Sequence, residues 1–124
     1  MDPVELHYHR LNTEAFINTK PSSIVLVPQI KESTASGGYK LVAGEPRPPQ
    51  IFRIIELGAN QSPPILVLTD GKQREASFWL LGKWDAVVGV NDYWIAPDGR
   101  EWLVGDIVRS NGYEVRGLVT ERGK

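Results

Sequence analysis

The chain has 124 residues, no cysteine, and 14 Lys and Arg against 15 Asp and Glu, a formal net charge of -1. A chain of this length is expected to form one domain, residues 1–124, that buries roughly two thirds of the surface its unfolded form exposes. The charge balance excludes the clustered positive field of a dedicated DNA binder, and the missing thiols exclude disulfide scaffolds and thiolate metal sites, in agreement with assembly in a reducing cytoplasm.

The first twenty residues intersperse Asp2, Glu5, His7, Arg10 and Glu14 among apolar side chains, so no export signal is expected there. The longest apolar runs, residues 24 to 27 and 65 to 68, fall far short of the roughly 20 needed to cross a bilayer, and no membrane contact is expected. Asp2 at an N-cap, Pro3 at the first helical position and Glu5 after them predict a helix within residues 1–19, ending near Asn18. Val4, Tyr8, Leu11 and Ala15 recur at three- and four-residue intervals as one apolar stripe that Phe16 broadens. Lys20-Pro21-Ser22-Ser23 stops the helix, because the residue before a proline is pushed out of the helical region.

From there the pattern is β, over residues 23–121. Ile24 to Val27 predicts a first strand, and Pro28, lacking an amide proton, places it at an edge or a bulge. Residues 31–49 are rich in Gly, Ser and Pro with Leu41-Val42 as the apolar anchor, which predicts a long loop or loosely held hairpin of functional importance. Gln50 to Leu57 is a strand with Phe52 and Ile54 on one face and Ile51, Ile55 and Leu57 on the other. Gly58 to Pro64 reads as a turn. Ile65 to Leu68 and Ala76 to Leu81 are expected to pair across the Asp-Gly turn Thr69-Asp70-Gly71-Lys72.

Ala76, Phe78 and Leu80 would then share one face, and Trp79 and Leu81 the other. Apolar groups on both faces call for a closed barrel, a covering helix or a partner. Tyr93 to Ile95 and Trp102 to Val108 form a hairpin around Asp98-Gly99, and Asn111-Gly112 turns into a last strand in which Tyr113, Val115, Gly117 and Val119 line the buried face. Gly123-Lys124 should fray. Short strands about ten residues apart predict a mainly β fold: a small antiparallel barrel, SH3- or OB-like or sandwich-like, with one short N-terminal helix and a long Gly/Ser/Pro-rich loop.

Chemistry-bearing patterns are sparse. His7 and His9 project about 200° apart on a helix and cannot share a metal. No phosphate-cradling glycine loop, nucleophile elbow or zincin motif occurs, so no catalytic residue, metal site or cofactor is expected. Asp85, Asp92, Asp98, Glu101 and Asp106 raise a carboxylate enzyme as an alternative, although Asp98 is explained by its turn. Of the four tryptophans, Trp84 and Trp102 suit a core with Phe52, Ile54, Phe78 and Val115. Trp79, with Pro28, Arg47 and Leu81, is an interface candidate.

Arg47-Pro48-Pro49-Gln50-Ile51-Phe52-Arg53, Gly82-Lys83-Trp84-Asp85, Asp92-Tyr93-Trp94, Gly99-Arg100-Glu101-Trp102 and Asn111-Gly112-Tyr113-Glu114-Val115-Arg116, in this order and spacing, carry a resemblance over most of the chain. The chain resembles the head-to-tail stopper (head closure, or connector) proteins of long-tailed phages that infect actinobacteria. The resemblance implies a non-catalytic barrel subunit of a virion neck, assembled in the host cytoplasm. Its partners would be copies of itself in a ring, the adaptor and portal on the head side, and the tail terminator or tail tube on the other. Packaged double-stranded DNA would pass through the lumen without sequence-specific binding, and a near-neutral lining would let it slide. The stretch Ser33, Ser36, Gly37, Gly38, Tyr39 and Lys40 matches the region that extends from stopper barrels toward the channel or neighbouring subunits. Alternatives are a tail terminator, or a single-stranded nucleic-acid-binding barrel using Trp79 and Tyr93 as stacking platforms.

Overall fold

A computed structural model of the chain describes residues 2–57, 65–67, 73–109 and 111–121. The chain begins with α1 (Pro3–Thr19), whose first turn is closed by Asp2: its Oδ1 accepts the amide protons of Val4 and Glu5, both at 2.9 Å. With Pro3 at the first position this is the expected start, and the helix stops at Lys20, before Pro21.

Ten strands follow among the described residues: β1 (Ser22–Ile24), β2 (Gln29–Ser33), β3 (Tyr39–Ala43), β4 (Gln50–Glu56), β5 (Ile65–Val67), β6 (Gln73–Glu75), β7 (Phe78–Lys83), β8 (Tyr93–Ile95), β9 (Glu101–Val108) and β10 (Glu114–Glu121). Six of them make one antiparallel sheet in the order β1-β4-β7-β10-β9-β8. Beyond β1, Val27 and Tyr93 exchange both backbone hydrogen bonds at 2.8 and 3.0 Å, which links the two outer strands and leaves a nearly closed barrel. The expected first strand, Ile24 to Val27, is therefore split into a short pairing with β4 and this single bridge to β8.

Turn chemistry decides the hairpins. Gly99 (φ 89°) and Gly112 (φ 78°) occupy the left-handed region that an L side chain resists. Asp98 accepts the Arg100 amide, and Asn111 accepts those of Tyr113 and Glu114, so each turn is closed by its own side chain. In β9, Gly105 and Asp106 together face Leu118 of β10, a bulge that adds twist to a tightly curled sheet. The Ile65 strand pairs with β6 rather than with Ala76 to Leu81; β7 instead sits in the barrel between β4 and β10. The turns expected at 58 to 64 and 69 to 72, and the fraying end at 123 to 124, lie outside the described residues.

Inside the barrel Leu26, Phe52, Leu80, Val104, Val115 and Val119 are almost completely buried, and Phe78 and Trp94 complete the cluster with Trp102 half-buried against it. Two expected core residues are not there. Ile54 is 38% exposed near one end of the barrel, and Trp84 is 45% exposed because β7 has already ended at Lys83. The outer face is apolar too, as expected, and α1 is a covering helix over part of it, while Ile51 stays 43% exposed. Leu81, an interface candidate, is only 2% exposed. It shares the outer face of β7 with Lys83, which pairs with Glu14 of α1 at 3.0 Å, so the helix lies over it. Trp79 is half-buried in a small outer cluster with Leu57, Ala76 and Leu118. Leu118 and Thr120 of β10 are buried as well, so the strand is not wet on its second face.

The helix is turned the other way from the expectation. Ile17 and Thr13 are buried against the sheet, with Leu6 and Arg10 half-buried on the same side, whereas Val4 (65%), Tyr8 (62%) and Leu11 (46%) face outward. Packing against β4 and β7 is set by Ile17 and by ionic and aromatic clamps described below, not by the sequence-apparent stripe.

Two outcomes follow from this packing. A Cβ built on Gly82 would lie 2.8 Å from both the Ala86 Cβ and a Phe52 ring carbon, so Gly82→Ala should cost about 1–3 kcal/mol, read from the urea midpoint. Hydrogen bonding and proximity to Glu14 raise the pKa of Lys83 above its usual 10.5. Its contribution is complete below the unfolded value and is lost as pH rises through the folded one. The stability difference between the parent and Lys83→Met should therefore be a few tenths of a kcal/mol at neutral pH and shrink above pH 10.5.

Candidate functional site

Beside the barrel, β2 and β3 pair only with each other and form an arm, in register from Gln29 opposite Ala43 to Ser33 opposite Tyr39. Its tip is a tight turn: the Thr34 amide donates to the Gly38 carbonyl (2.9 Å), the Gly38 amide to Thr34 Oγ1 (3.1 Å), and Gly37 takes a positive φ of 88°. The region expected as a long loop or loosely held hairpin is thus a hairpin with a short connection. All six residues singled out there, Ser33, Ser36, Gly37, Gly38, Tyr39 and Lys40, come together at the exposed tip, with Tyr39 74% exposed.

An isolated two-stranded ribbon is marginal in water, so its root matters. Gly44 donates its amide to the Pro28 carbonyl at 2.7 Å, and Arg47 donates its amide to the Leu26 carbonyl at 2.8 Å. Pro28, which has no amide to donate, lies between the Val27 bridge and β2, where the chain leaves the barrel for the arm. The Gln29 side-chain amide donates to the Asn91 carbonyl at 2.8 Å.

The root is locked by a charge pair. Arg47 Nε and Nη2 donate to the two carboxylate oxygens of Asp92 at 2.7 and 3.2 Å, and the Gly89 amide donates to Oδ2 at 2.9 Å. Asp92 is 1% exposed, and its backbone is held by Gly89 and Val104. Hydrogen bonding to Asp92 raises the Arg47 pKa further above its already high value, against an opposing burial effect. Arg47, proposed from sequence as an interface residue, ties the arm to the barrel through Asp92, one of the carboxylates that the alternative enzyme reading raised. Gly89 leaves room for this pair, since a Cβ there would sit 3.0 Å from Arg47 Nη2. Neither residue announces the other: they are 45 positions apart.

The two barrel ends differ. One is plugged by the segment after β7, with Val88 in the core and Ala86 packed on it; Gln50 exchanges two side-chain hydrogen bonds with the Val87 backbone, and Arg109 donates to the carbonyls of Ala86 and Val88. The other end opens as an apolar cleft of about 720 Å³, lined in part by Ile24, Ile54, Phe78, Trp94 and Trp102, with Asp98 and the Ser22 and Ser23 residues at its border. The Phe78 ring meets Trp102 edge-on at 4.9 Å.

The helix is clamped on both sides. Near its start, the Arg10 guanidinium lies 3.9 Å over the exposed Trp84 ring and donates to the Gly112 carbonyl, and His9 stacks on Tyr113 at 4.8 Å. Near its end, Arg53 lies 3.8 Å over Phe16 and donates to the Phe16 carbonyl. Trp84 is therefore a platform for the helix.

The remaining sequence candidates stay apart. Among the described residues no three His, Asp or Glu side chains converge as a metal would require. Trp79 and Tyr93 lie on strands separated in the sheet by β10 and β9, and they do not form a joint stacking platform. Among the described residues no helix is long and apolar enough to cross a membrane. Compared with models of known protein families the chain matches none, and a search of curated proteins returns no match.

Asp92→Ala should destabilise the chain by about 2–3 kcal/mol, toward the lower end for breaking a buried pair because Arg47 keeps about a quarter of its side chain in water. Hydrogen exchange should show the loss concentrated in amides of residues 29 to 43, with β7 and β10 amides retaining their protection.

Proposed function

We propose that the chain is a structural neck protein of a tailed-phage virion, a head-to-tail stopper whose copies form a ring below the portal and adaptor, retain packaged DNA and dock the tail. The observation that carries this reading is the arm: a hairpin with an exposed tip and a root fastened by a buried ion pair, projecting from a small barrel. A rigid root with a polar, accessible tip suits a lever that reaches a neighbouring subunit or a channel. The residues expected from the stopper resemblance, Ser33 to Lys40, are the ones at that tip.

Two further features support a ring. The open barrel end leaves Ile54, Trp102 and their neighbours as an apolar cleft, a surface that adjoining proteins can cover. The arm carries Lys31 and Lys40 beside Glu32, and the whole chain is close to neutral, so a lumen built from such arms would neither grip nor strongly repel the phosphate backbone. No chemical step is assigned to any residue in this reading.

Disrupting the gene in a phage that encodes this chain should leave DNA-filled heads and free tails as separate particles in electron micrographs. Normal tailed virions assembled without it would refute the proposal. Replacing Thr34–Gly38 by a two-residue Asn-Gly turn should leave the thermal midpoint of the purified chain nearly unchanged, yet reduce the yield of joined particles at least about tenfold.

A further inference from the structure

The outer face of α1 has a pattern the barrel does not use. At 100° per residue, Leu6, Arg10, Thr13 and Ile17 face the sheet, and Val4, Tyr8, Leu11 and Ala15 centre roughly 160° round the helix from them. The outer four are spaced four, three and four residues apart, which is the a/d spacing of two heptads. The helix cannot roll to bury them, because Arg10 on Trp84, Glu14 on Lys83 and Arg53 on Phe16 fix its rotation. A helix fastened to the sheet on one side and apolar on the opposite one is suited to lie between two layers, and only one layer is present among the described residues.

Heptad spacing calls for a helix as the second layer, and the flanking charges suit a second copy in one orientation. Glu5 and Asn12 border the stripe on one side, His7 and Glu14 on the other. When two copies run antiparallel about an axis between Tyr8 and Leu11, Tyr8 meets Leu11 and Val4 meets Ala15. His7 of one copy then lies toward Glu14 of the other, and Glu5 toward Asn12, so no like charges oppose each other. The helix dipoles are opposed, and the acidic first turn with Asp2 and Glu5 approaches the C-terminal end carrying Lys20. A parallel pair would align the dipoles and bring the acidic starts together.

We propose that the outer face of α1 docks α1 of a second copy, antiparallel, giving a two-fold dimer layered barrel, helix, helix, barrel. Four side chains a side fall short of the roughly 800 Å² per partner of a standard interface, so the pair is weak and reversible. A two-fold contact does not join neighbours in a cyclic ring, so it belongs to the subunit outside the ring. It goes beyond the neck reading and is measured on the isolated chain, with no head or tail present.

Sedimentation equilibrium of the purified full chain over a wide concentration range tests it. A reversible monomer-dimer equilibrium is expected, with no larger species. Leu11→Glu should raise the dissociation constant at least about tenfold, and Ala15→Leu, which enlarges the seam without touching the barrel-facing side, should lower it several-fold. Both variants should keep the parent circular dichroism, because the altered side chains are exposed; Ala15→Leu remains decisive even if Leu11→Glu folds poorly. A chain that stays monomeric at the highest concentration overturns the proposal. So does association that Ala15→Leu leaves unchanged, that Ile54→Glu in the barrel cleft abolishes, or that grows past the dimer.

Discussion

The bidentate contact between Arg47 and Asp92 holds together three parts of the molecule that no continuous strand connects. Through Arg47 it fixes the proline-rich run that returns from the arm; through Asp92 and Gly89 it fixes the segment that plugs the barrel; and the next residue, Tyr93, makes the bridge to Val27 that nearly closes the sheet. A buried carboxylate without this partner would carry a desolvation penalty of several kcal/mol. The guanidinium and the Gly89 amide offset it with three donors. Position as much as energy is what the pair supplies, since a planar fork allows one geometry where a lysine would allow many.

Around this tie the barrel is asymmetric along its strands. The end where Val88 enters the core is finished by side-chain to backbone hydrogen bonds from Gln50 and Arg109, which satisfy carbonyls and an amide that a non-repetitive segment would otherwise leave bare. The opposite end is finished mainly by apolar side chains, three aromatic rings among them. Phe78, Trp94 and Trp102 pack tilted or edge to face, which fills the taper of a small barrel yet leaves an apolar rim beside Ile54. One end is thus chemically complete within the chain, and the other leaves the greasier surface exposed.

Where local chemistry decides structure, the sequence was transparent. Asp2-Pro3 started the helix, Asp98-Gly99 and Asn111-Gly112 turned the strands, and alternation placed Phe52, Phe78 and Val115 inside, because each signal acts within a few residues. The misreadings share a cause, which is that tertiary contacts chose between options the local pattern left equal. Apolar residues occur on two faces of α1, and cation-π and ionic contacts from Trp84, Arg53 and Lys83 selected the less conspicuous one. Trp84 looked like a core ring because it follows an apolar strand, but that strand stops one residue earlier and Arg10 takes the ring as a platform. Leu81 looked available because strand alternation cannot say which outer positions a helix will cover. The Gly, Ser and Pro content of residues 31–49 marked out the region that holds the arm, whereas the ion pair at its root joins positions too distant for any pattern to link.

The two strands of the arm leave and re-enter the barrel side by side, Gly44 touching Pro28, and apart from the Gln29 side chain on Asn91 the fastening lies on the barrel side of that point. The ribbon beyond it can therefore be exchanged for a longer or shorter one without disturbing the body. Adding one residue pair extends the reach by about 3.4 Å and swaps the two faces of the tip, and adding two pairs extends it by about 7 Å while restoring them. The reach of the arm can thus be varied in discrete steps, on a scaffold whose own folding does not register the change.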